Sequence, residues 1–455
     1  YTSLPAGRVM NSRSECRAAN PTPAPLLEAL TRMGLPCRGF GEMVEHELDT
    51  PAIDPDTLAK WQQDGTKFHL FDSRPIAEYR TVSLPGAADC PGAELVLRVP
   101  QQVDDPTVPV VVNCAGRTRS IIGAQSLRDA GLANPVYALR NGTMGWQLAG
   151  LTPVHGASNI VPEPGADGVA AAKEMADSVL RRGEVRTIDG DDLRRMLDDP
   201  SRTTYVFDVR QADAFERGHV PGSTHAAGGQ LVQATDTFAA VRHARVVLVD
   251  EHMVQSVMTA HWLRRMGWDV AVLRDAARMM TASGPTVGAA LMPPHPDARE
   301  VPASELSSML DDGACTVVDV GESYWYRQGR IPGSYYAMRS CLRDATAGLD
   351  HSRRTVFCCT SGSVAPYAAG DAIALGFTDV AWLSGGRNAW RRAGLATESI
   401  GDGDDGLLLS ATDDMWYPPW ARKEGVTEAM MQYLTWEVGL LDTVSLETYV
   451  RFTLD

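Results

Sequence analysis

Three times along the chain a short apolar run ends on an aspartate, and each time an X-Pro-Gly turn follows. The runs are Leu70-Phe71-Asp72, Val206-Phe207-Asp208 and Val317-Val318-Asp319, and the turns are Leu84-Pro85-Gly86, Val220-Pro221-Gly222 and Ile331-Pro332-Gly333. A short apolar run bounded by turn residues reads as a buried strand, and strands alternating with helical segments build a mainly parallel sheet with helices on both faces. A chain of 455 residues exceeds one ordinary core, so tandem α/β copies are expected. The expected division is a linker or upstream remnant at 1–50, copies at 51–155, 185–285 and 286–400, a linker at 156–184, and a C-terminal extension with a helix at 401–455.

The chemistry concentrates in the first copy. Val110-Val111-Val112-Asn113 reads as a strand and Ile121 to Leu127 as a helix, which sets Cys114 at a strand-to-helix turn. Unpaired N–H groups at a helix start, with Arg117 and Arg119 beside them, are expected to depress the thiol pKa and to hold an anion against the sulfur. Arg119 stands five positions after Cys114, a Cys-x4-Arg loop. Phosphate chemistry of the cysteine type needs Cys-x5-Arg, and Ser120 fills that position.

This loop, with Phe71-Asp72-Ser73-Arg74 before it and Asn141-Gly142-Thr143-Met144-Gly145-Trp146 after it, resembles the rhodanese (sulfurtransferase) family, in particular bacterial proteins built of several repeats. The resemblance runs from about residue 40 to 450 and is closest in the first copy. It implies a double displacement in which Cys114 attacks a sulfane donor such as thiosulfate and keeps one sulfur as a persulfide. Ala115, Gly116, Thr118 and Ser120 would then cradle that sulfur, Arg119 and Arg117 would hold the donor oxyanion, and Arg74, oriented by Asp72, would complete the substrate-binding set. A thiol or cyanide would collect the sulfur, and neither cofactor nor metal is needed.

Counting along the period locates the other two loops. Asp208 minus Asp72 is 136, and Cys114 plus 136 falls on Asp250, which cannot carry a persulfide, so the second copy is expected to be inactive. His219 there belongs to the turn motif and reads as structural; His252 has no assigned role. Cys359 minus Cys114 is 245, and Trp390 minus Trp146 is 244, so Cys359 holds the nucleophile position of the third copy. Thr360, Ser361, Gly362 and Ser363 follow it, but Val364 stands where Arg119 stands and Gly321 where Arg74 stands. A second and slower site, a relay and a relic are all open readings of Cys359; Cys358 should face the core.

Composition narrows the setting. No apolar run reaches the roughly 18 residues of a membrane helix. A net charge of −15 argues against nucleic acid. Eight cysteines without C-x2-C pairs point to a reducing cytoplasm rather than zinc or a disulfide framework. His46, among three glutamates, reads as solvated. Asn20–Pro25 reads as linker, Leu26–Met33 as a helical segment, and Val426–Leu441 as an amphipathic helix packing across copies or onto a partner subunit. Two rivals to the enzyme remain: a non-enzymatic persulfide carrier or scaffold for a sulfur-metabolism partner, and a cysteine phosphatase or arsenate reductase, the latter limited by loop length and by Cys90 being the only nearby accessory thiol.

Overall fold

The computed structural model describes residues 35–182, 185–241, 243–285, 294–400 and most of 406–454. The segments Asn20–Pro25 and Leu26–Met33 lie outside the described residues. Among the described residues fifteen short strands form three five-stranded sheets in which every pairing between strands is parallel. The first holds β1 (Ala52–Ile53), β2 (His69–Asp72), β3 (Ala88–Asp89), β4 (Val110–Asn113) and β5 (Val136–Leu139), in the order β1-β5-β4-β2-β3. The second repeats that order with β6 (Arg186–Ile188), β7 (Thr204–Asp208), β8 (Thr224–His225), β9 (Arg245–Val249) and β10 (Asp269–Leu273). The third does so with β11 (Arg299–Val301), β12 (Thr316–Asp319), β13 (Tyr335–Tyr336), β14 (Thr355–Cys358) and β15 (Val380–Leu383).

The central strand is buried along its whole length in the first and third sheets, Val110–Asn113 and Thr355–Cys358, and in all but its first residue, Arg245, in the second. Helices cover both faces, which is why these strands are uninterrupted apolar runs rather than alternating ones. Four helices bear on the sites: α1 (Leu35–Glu47), α2 (Thr118–Asp129), α3 (Ala365–Ala374) and α4 (Val426–Val438). The described chain falls into two compact units, one formed by the first two copies with the segment after Val426, the other by the third copy. Within the first unit a continuous core runs from Leu95, Ile121 and Leu127 to Val232, Val257 and Trp262. Trp262 Nε1 donates to Ser126 Oγ at 2.8 Å across it.

The aspartate that ends the second strand of each sheet is buried and paired. Asp72 meets Arg74 Nε and Nη2 at 2.8 and 2.7 Å and also accepts from Ser83 Oγ and Asn113 Nδ2, both at 2.9 Å. Asp208 holds Arg210 in the same way. Each guanidinium then donates to the carbonyl closing the next short helix, Val82 O at 2.6 Å and Gly218 O at 2.5 Å. Arg74 is fully buried in this role. Its Nε and Nη2 hold Asp72 and the Val82 carbonyl, while Nη1 is buried without a hydrogen-bond partner.

Asp89, at the end of β3, is buried close to this pair. Burial and the Asp72 carboxylate raise it to about 7. The folded protein therefore binds a proton there that the unfolded chain releases near pH 4. Stability from this group is complete at or below that pH and is lost as pH rises towards 7. Asp89→Asn should flatten the fall of melting temperature between about pH 4 and 7; an unchanged slope would contradict the raised pKa.

Candidate active site

Cys114 follows β4 directly, and α2 begins four residues later. The start of the closing helix Gly142–Leu148 holds this loop from outside. Thr143 N donates to Cys114 O at 2.8 Å and Met144 N to Ala115 O at 3.0 Å. Gly142 sits so near that a Cβ on it would lie 2.3 Å from Cys114 O, so only glycine fits. The third copy repeats the brace. Arg387 N donates to Cys359 O at 2.8 Å and Asn388 N to Thr360 O at 3.0 Å, and a Cβ on Gly386 would lie 2.2 Å from Cys359 O.

The two loops then diverge. Both sulfurs lie low, each cysteine being 2% exposed, so burial alone does not separate them. Cys359 Sγ accepts N–H bonds from Gly362 at 3.2 Å and Val364 at 3.4 Å. These point at the sulfur from the loop leading into α3, as a thiolate requires. Cys359 also lines an open cavity of about 510 Å³ with Thr360, Ser361, Ser363 and Val364.

Cys114 Sγ donates to Ser120 Oγ at 3.4 Å, the Ser120 backbone N–H also favours its charged form, and Ser120 Oγ donates to Arg117 O at 2.8 Å. The outer side of its loop is covered by α4. A Cβ on Gly116 would come 3.0 Å from Glu437 Oε2 and 3.1 Å from Tyr433 Cε1. Thr118 Oγ1 donates to Glu437 Oε1 at 2.9 Å, while Glu437 Oε2 is buried with no hydrogen-bond partner. The guanidinium of Arg38, from α1, lies 5.8 and 5.2 Å from the ring centroids of Tyr433 and Trp436 and holds α4 down.

The two arginines are also engaged. Arg117 Nε and Nη2 each reach Glu42 at 2.7 Å, Nη2 also pairs with Glu45, and Nη1 donates to Asn141 Oδ1 at 3.1 Å. Arg119 forms a bidentate pair with Glu78 at 2.7 and 2.8 Å. The thiol was expected to be depressed by these cations. It is pushed up instead, chiefly by burial, which the Arg119 charge opposes only in part. Burial likewise raises the Glu437 carboxyl.

In the second copy Asp250 occupies the nucleophile position, accepting from Val254 N at 3.0 Å and from Ser256 Oγ. Glu251 and His252 pair at 3.1 Å, which gives His252 a partner the sequence did not suggest. His46 is exposed against Glu47, and His219 Nδ1 meets Phe215 O at 2.9 Å. Among the described residues no cluster of three His, Cys, Asp or Glu side chains could hold a metal. Cys358 is fully buried in the core.

Arg387 is the residue that reasoning on spacing missed. It stands where the first copy has Thr143, and its Nε lies 2.8 Å from Asp319 Oδ2. Its Nη1 reaches Gly329 O at 3.2 Å, the counterpart of Val82 O, and its Nη2 donates to Thr360 Oγ1 at 2.9 Å. The guanidinium thus takes the place of Arg74 and Arg210, reached from the closing helix, but it meets Asp319 as an ion pair without the hydrogen bonds to the aspartate of the first two copies, and burial leaves the Asp319 carboxyl raised. The visible signal was a paired exchange: Gly321 replaces the arginine after the strand, and Arg387 replaces a threonine.

A family model, the rhodanese-like domain, matches residues 54–149, 189–276 and 302–393. A solved structure, a thiosulfate sulfurtransferase from Pseudomonas aeruginosa, is 39% identical, covers 92% of this chain and 79% of its own, and superposes with a TM-score of 0.80. Curated relatives named thiosulfate sulfurtransferase GlpE are 31% identical over 102 residues in Pseudomonas paraeruginosa (strain DSM 24068 / PA7) and 30% in Pseudomonas aeruginosa (strain LESB58); each match spans 22% of this chain and 93% of the relative. In the full-length protein, iodoacetamide followed by peptide mapping should label Cys359 at least about tenfold faster than Cys114. Equal rates would mean that α4 does not shield the first loop.

Proposed function

Because this chain belongs to the rhodanese-like family, we propose that it is a sulfurtransferase that moves sulfane sulfur, from thiosulfate or a similar donor, to a thiol or cyanide through a persulfide on Cys359. One observation carries the choice of cysteine: Cys359 Sγ accepts two backbone N–H bonds at the floor of a cavity of about 510 Å³. The Cys359 thiolate attacks the outer sulfur of the donor, the sulfur–sulfur bond breaks, and sulfite leaves with the electron pair. The N–H groups of Gly362 and Val364 stabilise negative charge at the cysteine sulfur, and the hydroxyls of Thr360, Ser361 and Ser363 border the space the outer sulfur enters. An acceptor thiolate or cyanide then takes that sulfur and returns Sγ as thiolate.

Cys114, with Arg117 and Arg119, is the alternative carrier, and its Cys-x4-Arg loop supports it. Against it stand a raised thiol, two arginines already paired and a helix across the loop. In this reading the first two copies provide the packed unit that seats α4.

The test is intact-mass measurement after thiosulfate, with thiocyanate formation from thiosulfate and cyanide, on the parent, Cys359→Ser and Cys114→Ser proteins. The parent and Cys114→Ser should gain one sulfur mass and turn over, and Cys359→Ser should do neither. The reverse pattern would transfer the nucleophile to Cys114. Absence of sulfur gain in all three would overturn the enzymatic reading.

A further inference from the structure

The cavity above Cys359 is far larger than a sulfane sulfur requires. Water takes about 30 Å³ in the liquid, so about 510 Å³ has room for well over ten waters, within the range of small-molecule sites. The charge on its walls is one-sided. Three charged side chains line it: Glu322, Asp414 and Arg339. The Arg339 charge is taken by Asp371, at 2.6 and 3.3 Å. Glu322 and Asp414 are exposed at the rim, and neither has an ion pair among the described residues. Asp414 Oδ2 accepts the Ser323 N–H at 2.9 Å, which fixes that carboxylate at the mouth. Tyr336 also lines the cavity, fully buried, and burial together with the neighbouring Asp414 carboxylate pushes its phenol up, so the hydroxyl stays protonated beside that carboxylate.

We propose that the physiological acceptor is an aminothiol, a thiol carrying an ammonium group, held with its cation between Glu322 and Asp414 and its sulfur directed at the Cys359 persulfide. This rests on the reading that Cys359 carries the sulfur. The acceptor attacks as a thiolate. A second anionic group on it would set two negative charges against a persulfide and two carboxylates, whereas an ammonium group offsets them. In the step itself the acceptor sulfur bonds to the terminal persulfide sulfur, the bond to Sγ breaks, and Sγ leaves as thiolate onto the N–H groups of Gly362 and Val364. The product is the persulfide of the aminothiol.

The experiment uses the full-length protein loaded with thiosulfate and checked by intact mass for one sulfur on Cys359. Loss of that mass is then followed with cysteamine, 2-mercaptoethanol and 3-mercaptopropionate, thiols of similar size and different charge. Cysteamine should discharge the persulfide fastest and 3-mercaptopropionate slowest. In the double variant Glu322→Gln, Asp414→Asn the ratio of their rates should shrink by about threefold or more, and added salt should shrink it in the parent. The same variant should bind dianionic thiosulfate more tightly, seen as a lower KM. A loaded Cys359 whose preference is absent, reversed or unchanged in the variant overturns the aminothiol inference alone. Failure of Cys359 to take up sulfur removes the functional reading, and this inference with it.

Discussion

Each copy depends on one buried ion pair, a guanidinium held between the aspartate that ends its second strand and the carbonyl that closes the next short helix. Breaking such a pair leaves a charge uncompensated inside the protein, at a typical cost of about 3–5 kcal/mol. The fold therefore tolerates a change in where the arginine comes from better than its loss. In the first two copies it follows the aspartate by two residues, as Arg74 and Arg210. In the third it arrives from the closing helix as Arg387. That exchange has a consequence at the site, because Arg387 also grips Thr360, the residue next to Cys359. Gly321 meanwhile leaves the cavity wall without a side chain at that point.

The same scaffold yields three different loops. All three sit at the carboxyl end of a central parallel strand, the place where open α/β sheets present ligands. One loop is closed over by α4, one carries a carboxylate in place of sulfur, and one faces an open cavity. The local chain conformation alone does not separate the first from the third. What separates them is the neighbour: Glu437 and Tyr433 lie against the first loop, and a cavity lies above Cys359. Arginines count as anion binders only where nothing else already satisfies them, and Glu42, Glu45 and Glu78 satisfy Arg117 and Arg119.

The repeat, the parallel sheets, the loop positions and the substitution of Asp250 for a nucleophile were all legible in the sequence, because each follows from periodicity and residue type within a short window. The Cys114 environment was not. Its loop reads as an anion cradle until α1, some seventy residues upstream, and α4, more than three hundred downstream, are brought against it. Counting over the ten residues after Cys359 finds no arginine in the third loop, while Arg387, which donates to Thr360 Oγ1 at 2.9 Å, lies in the helix that closes the copy.

By itself, then, the amino-acid sequence determined the family, the three-copy α/β architecture and the two cysteines that stand at equivalent strand-to-helix loops. Those are properties of local pattern: apolar runs that must be buried on both faces, glycines that alone fit against a loop carbonyl, and a spacing that returns. Only the tertiary structure decided what lies against each cysteine loop and which cations are already paired. Access and charge compensation belong to contacts between segments far apart in the chain, and no local window contains them.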